Sequence, residues 1–120
     1  MIGGAIGAVS RFLVGTFILR FYSSLFPLGT FLINVTGSFL IGLFMTLFLN
    51  RPNISPSWRL FVVTGILGGY TTFSTFEWET FTAFRGGAVA VALLNVLLSV
   101  TLGFGGVWIG AALYDRFWAR

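Results

Sequence analysis

The run Gly68-Gly69-Tyr70-Thr71-Thr72-Phe73-Ser74-Thr75-Phe76 interrupts a hydrophobic stretch that reads as membrane helix on both sides, Leu60 to Leu67 before it and Trp78 to Phe84 after it. Two adjacent glycines, four serine or threonine hydroxyls and two phenylalanines three apart argue for a helix that stops and restarts inside a bilayer. Irregular backbone at that depth survives only where protein or a water-filled cavity satisfies its polar groups. Broken helices of this kind aim backbone dipoles at a transported ion. The feature points to passage of something small and polar.

The rest of the chain agrees with a membrane setting. Of its 120 residues, 57% are hydrophobic and 8% charged, and the mean hydropathy is +0.96. Soluble domains carry about 25% charged residues, so the natural class is a polytopic all-α membrane protein. Cysteine and histidine are absent, which removes disulfides, thiolate metal sites and the commonest general base. The carboxylates are Glu77, Glu79 and Asp115, too few for hydrolytic or redox catalysis, so no enzyme is expected. The basic balance is all arginine, spread between apolar segments. No basic patch or motif suits nucleic acid. The N-terminal stretch lacks a basic n-region and reads as a first span, not a cleaved signal peptide.

Four spans are expected, roughly 2–21, 28–49, 59–84 with the break, and 87–113, forming a single transmembrane domain. Residues 22–27 join the first pair. Residues 50–57, with Pro52 and Pro56, forbid a continuous helix between the second and third. Arg85-Gly86-Gly87 is a tight turn. Trp58, Trp78, Trp118 and Tyr114 sit near span ends as interfacial aromatics do, whereas Trp108 does not fit that pattern. An even number of spans puts Arg51, Arg59, Arg116 and Arg120 on one side and Arg20 and Arg85 on the other. This bias is small, and arginine excess is what orients a membrane protein. The expectation is dual topology and an antiparallel homodimer, since four short helices alone hardly enclose a pore.

Small and polar residues form stripes. Gly3, Gly7, Arg11 and Gly15 recur every four residues in the first span. The glycines suit a packing seam, while Arg11 must face protein, water or a partner; an anion vestibule and structural pairing both explain it. In the second span Thr30, Asn34 and Gly37-Ser38 share a face; Asn34 can donate to an anion or bond across helices. In the fourth, Asn95, Ser99, Gly103, Gly106 and Gly110 make another stripe. At the break, Gly68-Gly69 can end the first half-helix in left-handed conformations. Ser74-Thr75-Phe76-Glu77 fits a capping box, with Thr71 and Thr72 as alternative N-caps. The restarted helix would turn free N–H groups and its positive end to midplane, and the last carbonyls of the first half would be free to hold a cation. Glu77 reads as a cap or as a proton carrier, and Glu79 as a partner for polar groups on a neighbouring helix. Phe73 and Phe76 suit packing, yet their ring edges carry partial positive charge that a small anion could contact.

These residues resemble a known family. Gly68 to Phe76, with Glu79, resembles the GGxTTFSTFxxE signature of the Fluc (CrcB) fluoride channels. Gly29-Thr30-Phe31-Leu32-Ile33-Asn34-Val35-Thr36-Gly37-Ser38-Phe39 resembles their second-helix motif GTFxxNxxGxF, and Gly3 to Arg11 their first-helix start. The resemblance implies a dual-topology antiparallel homodimer with two separate pores in the bacterial inner membrane, lowering cytoplasmic fluoride by passive export. It implies that Phe73, Phe76, Asn34, Ser74, Thr75, Thr30 and Ser99 line the fluoride pore. It assigns Arg11 and Glu79 to vestibule or structural charge. It implies a structural sodium at the dimer interface, held by the carbonyls of Gly68 and Thr71. Asn95 stands where relatives can carry a tyrosine, which leaves its pore-facing role open. The chain begins almost at the first motif, so any preceding cytoplasmic segment is missing or never existed.

Two rivals remain at this level. A dual-topology proton-coupled exporter of organic cations needs a midplane carboxylate, and Glu77 and Glu79 lie a turn or so past the break. A non-transporting assembly subunit explains the glycine seams but not the broken helix.

Overall fold

The computed structural model describes Met1–Ala119; the expected contribution of Arg120 to the basic end lies outside the described residues. The chain is all-helical, in the order α1 (Ile2–Phe21), α2 (Leu28–Asn50), α3 (Pro56–Arg59), a π-helical stretch Leu60–Leu67, α4 (Gly68–Tyr70), α5 (Phe73–Arg85) and α6 (Val89–Trp118). Among the described residues, three helices, α1, α2 and α6, are long and apolar enough to cross a membrane. Pro56 to Tyr70 runs as one winding rod, started by Ser55, whose Oγ accepts the Ser57 N–H at 3.4 Å, with Pro56 in the first turn. Its middle opens into the wider i→i+5 pattern, a feature that hydropathy alone does not signal.

Two pairs of parallel helices make up the bundle. In one, α1 lies along Pro56–Tyr70. A methyl group on Gly3 would stand 2.6 Å from the Phe61 carbonyl oxygen, and one on Gly7 would collide with the Ile66 carbonyl. In the other, α2 lies along α6, with Gly42 against the Val107 carbonyl and Gly110 against the Phe39 carbonyl. The glycine stripes are packing seams that bring backbones together, as small residues do between membrane helices. The four-residue stripe of α1 does not stay on one neighbour. Each step of four residues advances about 40° around a helix, so Gly3 and Gly7 meet the π-helical stretch, Arg11 meets the break and Gly15 meets Ile33 of α2.

Apolar burial within one chain is slight. Among the described residues, the buried apolar ones are Ile33, Leu67, Ala92 and Tyr114, while Phe12, Phe104 and Trp108 are 70%, 73% and 71% exposed. A chain that leaves such rings outward belongs in a lipid or partner environment. Trp58, Trp78 and Trp118 are exposed, as expected of interfacial aromatics. Tyr114 is not. It is 2% exposed, its hydroxyl accepts from Arg51 Nε at 3.3 Å, and Arg51 Nη2 donates to the Trp118 carbonyl at 3.3 Å. Arg51 thereby ties the end of α2 to the last turn of α6, where a cation suits the helix dipole. That tie accompanies the run of α6 to Trp118, five residues beyond the expected end of the fourth span.

At the other end, Gly86 and Gly87 turn the chain from α5 into α6. Gly87, at φ +88°, is the one positive-φ residue among those described. Gly68 corrects the expectation that left-handed glycines end the first half-helix, because it is right-handed at φ −64°, ψ −35°. The chain leaves the helix at Thr71, which is extended. Gly69 serves close approach instead, since a methyl group there would stand 2.6 Å from the Gly4 carbonyl oxygen.

Candidate functional site

The break is made by a side chain from another helix. The last ladder bond of the first half runs from the Thr71 N–H to the Leu67 carbonyl, 3.0 Å. The next N–H, of Thr72, donates to Asn34 Oδ1 at 2.8 Å, and Asn34 Nδ2 donates back to the Thr72 carbonyl at 2.9 Å. The Asn34 amide thus pairs with the Thr72 backbone as a second peptide would, and satisfies both groups at a depth where they would otherwise be costly. Between the two readings of Asn34, the structure shows the bond across helices. Thr72 then caps α5, its Oγ1 accepting from the Thr75 N–H at 3.3 Å. The capping box at Ser74–Glu77 does not form, because α5 has already begun at Phe73 and Ser74 lies inside its first turn.

Two carbonyls are released by this arrangement. Gly68 loses its fourth-residue donor because the Thr72 N–H goes to Asn34. Thr71 loses its own because the Thr75 N–H turns to Thr72. Arg11 Nη1 lies 3.4 Å from the Thr71 carbonyl oxygen, a long hydrogen bond. Thr36 and Tyr70 add a hydroxyl–hydroxyl contact of 3.0 Å, so α1 and α2 both grip the end of the first half-helix.

Two cavities meet at Thr72. One, of about 440 Å³, is walled by Arg11, Thr30, Thr72, Thr75 and Glu79 among others. There Thr30 Oγ1 donates to Glu79 Oε1 at 2.8 Å, while Glu79 Oε2 is buried without a partner among the described residues. The other, of about 260 Å³, is walled by Asn34, Ser38, Thr72, Phe73, Phe76 and Ser99. The Phe73 and Phe76 rings stand 5.8 Å apart, tilted by 42°, and Phe73 is 70% exposed. The expected site residues therefore fall into two groups. Asn34, Phe73, Phe76 and Ser99 share one cavity; Arg11, Thr30, Thr75 and Glu79 share the other. Ser74, exposed on the first turn of α5, lines neither of the two.

Thr72 lines both cavities, a place that its expected role as an alternative N-cap does not include. Its place in the hydroxyl-rich run, immediately before Phe73, is the signal the sequence offers. Chemically, the two cavities offer the Arg11 guanidinium, hydroxyls and two aromatic rings beside the Glu79 carboxylate, with the N–H groups of the first turn of α5 close by. These donors suit a small anion.

Comparison with known proteins agrees with this chemistry. The family described as CrcB-like protein, Camphor Resistance (CrcB), matches residues 1–111. A protein of Solibacter usitatus (strain Ellin6076) named fluoride-specific ion channel FluC is 52% identical over 115 residues, covering 96% of this chain and 94% of its own length. A protein of the same name from Acidobacterium capsulatum is 47% identical over 115 residues, covering 96% and 92%. Another, from Sulfurihydrogenibium sp. (strain YO3AOP1), is 41% identical over 112 residues, covering 93% and 90%. With the family matched over nearly its whole length, and with the broken helix that carries the motif in place, this chain belongs to the CrcB-like family.

Proposed function

We propose that this chain forms a fluoride-selective channel that lets fluoride leave the cell passively. The observation that carries the reading is the meeting of two cavities at the Asn34–Thr72 pair, with Phe73, Phe76 and Ser99 on the far wall and Arg11 on the near one. The names of the relatives support fluoride as the ion. Fluoride is small and strongly hydrated, so its water must be replaced by donors along the whole path. The Thr75 hydroxyl and the free N–H groups at the start of α5 are such donors, the hydroxyls of Thr30 and Ser99 become so only on turning from Glu79 and Asn95, and the edges of Phe73 and Phe76 attract an anion weakly enough to release it. A series of moderate sites is what conduction requires. Arg11 raises the local anion concentration at the entry. No energy source is needed, since a negative-inside membrane potential drives anions outward.

The broken stretch Pro56–Arg85 serves as the fourth crossing, alongside α1, α2 and α6. The cavities are open on the outer face of one chain, so each pore is completed by a second copy. The sparse arginine bias supports an antiparallel pair in the bacterial plasma membrane. Gly68 and Thr71 would hold a sodium ion between the copies, because their carbonyls have lost their helical donors and oxygen dipoles suit a hard cation. Such an ion would supply fixed positive charge at the helix ends and tie the two breaks together.

The test is halide efflux from proteoliposomes loaded with fluoride or chloride and read with ion-selective electrodes. Fast fluoride loss with chloride retained is expected. Phe73→Ile is expected to slow it at least about tenfold, since an aliphatic side chain has no positive edge. Folded dimers that pass no fluoride would overturn the reading.

A further inference from the structure

Asn95 is the one buried polar residue among those described, 1% exposed, and it lines neither of the two cavities above. Its side chain bridges helices instead. Ser99 Oγ donates to Asn95 Oδ1 at 3.1 Å, Asn95 Nδ2 donates to Thr80 Oγ1 at 2.9 Å, and Thr80 Oγ1 donates to the Phe76 carbonyl at 2.8 Å. The three bonds run in one direction, from a cavity-lining hydroxyl on α6 to the backbone of a cavity-lining phenylalanine on α5.

This chain matters because little else fixes α5. Among the described residues, α5 has none that is fully buried, and only Phe76 and Ala83 of its apolar residues are half-buried, so polar contacts add much of what sets its rotation. Thr30 of α2 holds Glu79, and Asn95 of α6 holds Thr80. On a helix of about 100° per residue, Glu79 lies about 60° to one side of Phe76 and Thr80 about 40° to the other, with Phe73 close to the Thr80 side. The two held residues therefore bracket Phe76 from one turn away, and Phe73 lies about 20° beyond Thr80. If α5 turned by a single residue, both rings would swing by about 100°, away from the cavity they share with Asn34 and Ser99.

We propose that Asn95 is a positioning residue for conduction: by holding Thr80 it sets the rotation of α5, and so aims Phe73 and Phe76 into the path. It acts through Thr80 and does not touch the ion. The proposal rests on the channel reading for its flux measurements and on geometry alone for its labelling measurement.

The flux arm compares Thr80→Val, Asn95→Leu and their combination, as dimers in liposomes. Thr80→Val keeps the shape and removes only the hydroxyl. Each single change is expected to lower fluoride flux and the fluoride-over-chloride permeability ratio by about five- to tenfold, the loss of one buried hydrogen bond. The double variant is expected to be no worse than the worse single, because both cut one chain. Thr80→Ser, which keeps the hydroxyl, is expected to restore both. The ratio separates aiming from folding, since fewer folded channels reduce every flux alike. Thr80→Val with wild-type flux and ratio would overturn the proposal, as would additive effects. If Asn95→Leu does not fold, Thr80→Val and Thr80→Ser decide it. The labelling arm uses the absence of native cysteine. Phe73→Cys, Ser74→Cys, Thr75→Cys and Phe76→Cys are tested singly against a thiol reagent, with and without Thr80→Val. A shift in the most reactive position supports the proposal, and an unchanged pattern overturns it. This arm stands even if the wild type carries no fluoride, a result that would sink the channel reading alone.

Discussion

Asn34 shows how one side chain can shape a backbone. Its amide supplies the acceptor and the donor that the Thr72 peptide loses when the helix stops. Asn34→Ala leaves a part-buried N–H and a part-buried carbonyl unmatched, at a cost of about 1–3 kcal/mol. Thermal or denaturant unfolding is expected to report that loss, and efflux to fall with it. Asn34→Asp keeps an acceptor for the Thr72 N–H but sets a carboxylate oxygen against the Thr72 carbonyl. It is expected to be worse than Asn34→Ala in both measurements; equal or better behaviour would mean that the side chain faces water instead of the break.

Among the elements, the contact between α1 and the π-helical stretch is the tightest on the broken side of the bundle. Gly7 meets the Ile66 carbonyl with no room for a methyl group. Gly7→Ala is expected to push α1 away and cost about 1–3 kcal/mol by overpacking. The shift would carry Arg11 off the Thr71 carbonyl. Gly105 in α6 is the control, because a methyl group there meets nothing within 4 Å among the described residues. Gly105→Ala is expected to be neutral or to stabilise by up to about 1 kcal/mol through helix propensity. Parallel unfolding curves of the two variants check the contrast. A destabilising Gly105→Ala would instead locate that face of α6 at a contact between copies.

For the whole molecule, the open cavities and outward rings fit the proposed second copy, and the small arginine bias fits the proposed antiparallel orientation. A tag on the C-terminus is expected on both sides of the membrane in roughly equal amounts; one side alone would remove the antiparallel pair. Replacing sodium with a bulky organic cation is expected to lower the dimer's unfolding temperature, since an ion bound only to the folded state stabilises it by mass action. An unfolding temperature indifferent to sodium would leave the Gly68 and Thr71 carbonyls to Arg11 and water.

Much of this protein was legible in the amino-acid order, and the legible parts are local. Hydropathy and length marked the long helices because lipid selects composition residue by residue. The glycine stripes marked seams because only small side chains allow backbones to touch. The hydroxyl-rich run marked the break because such residues do not continue an apolar helix. Tertiary structure decided how these pieces are used. Asn34 breaks the helix from 38 positions away, so Gly68 needs no left-handed turn and Gly69 is left for contact with Gly4. Tyr114 looked like an interfacial aromatic until Arg51 reached it across the bundle. Asn95 looked like part of a stripe, and its bond to Thr80 exists only because α5 folds back beside α6. Local patterns determine what a segment can be; which donor meets which acceptor depends on the spacing between segments, and only packing sets that.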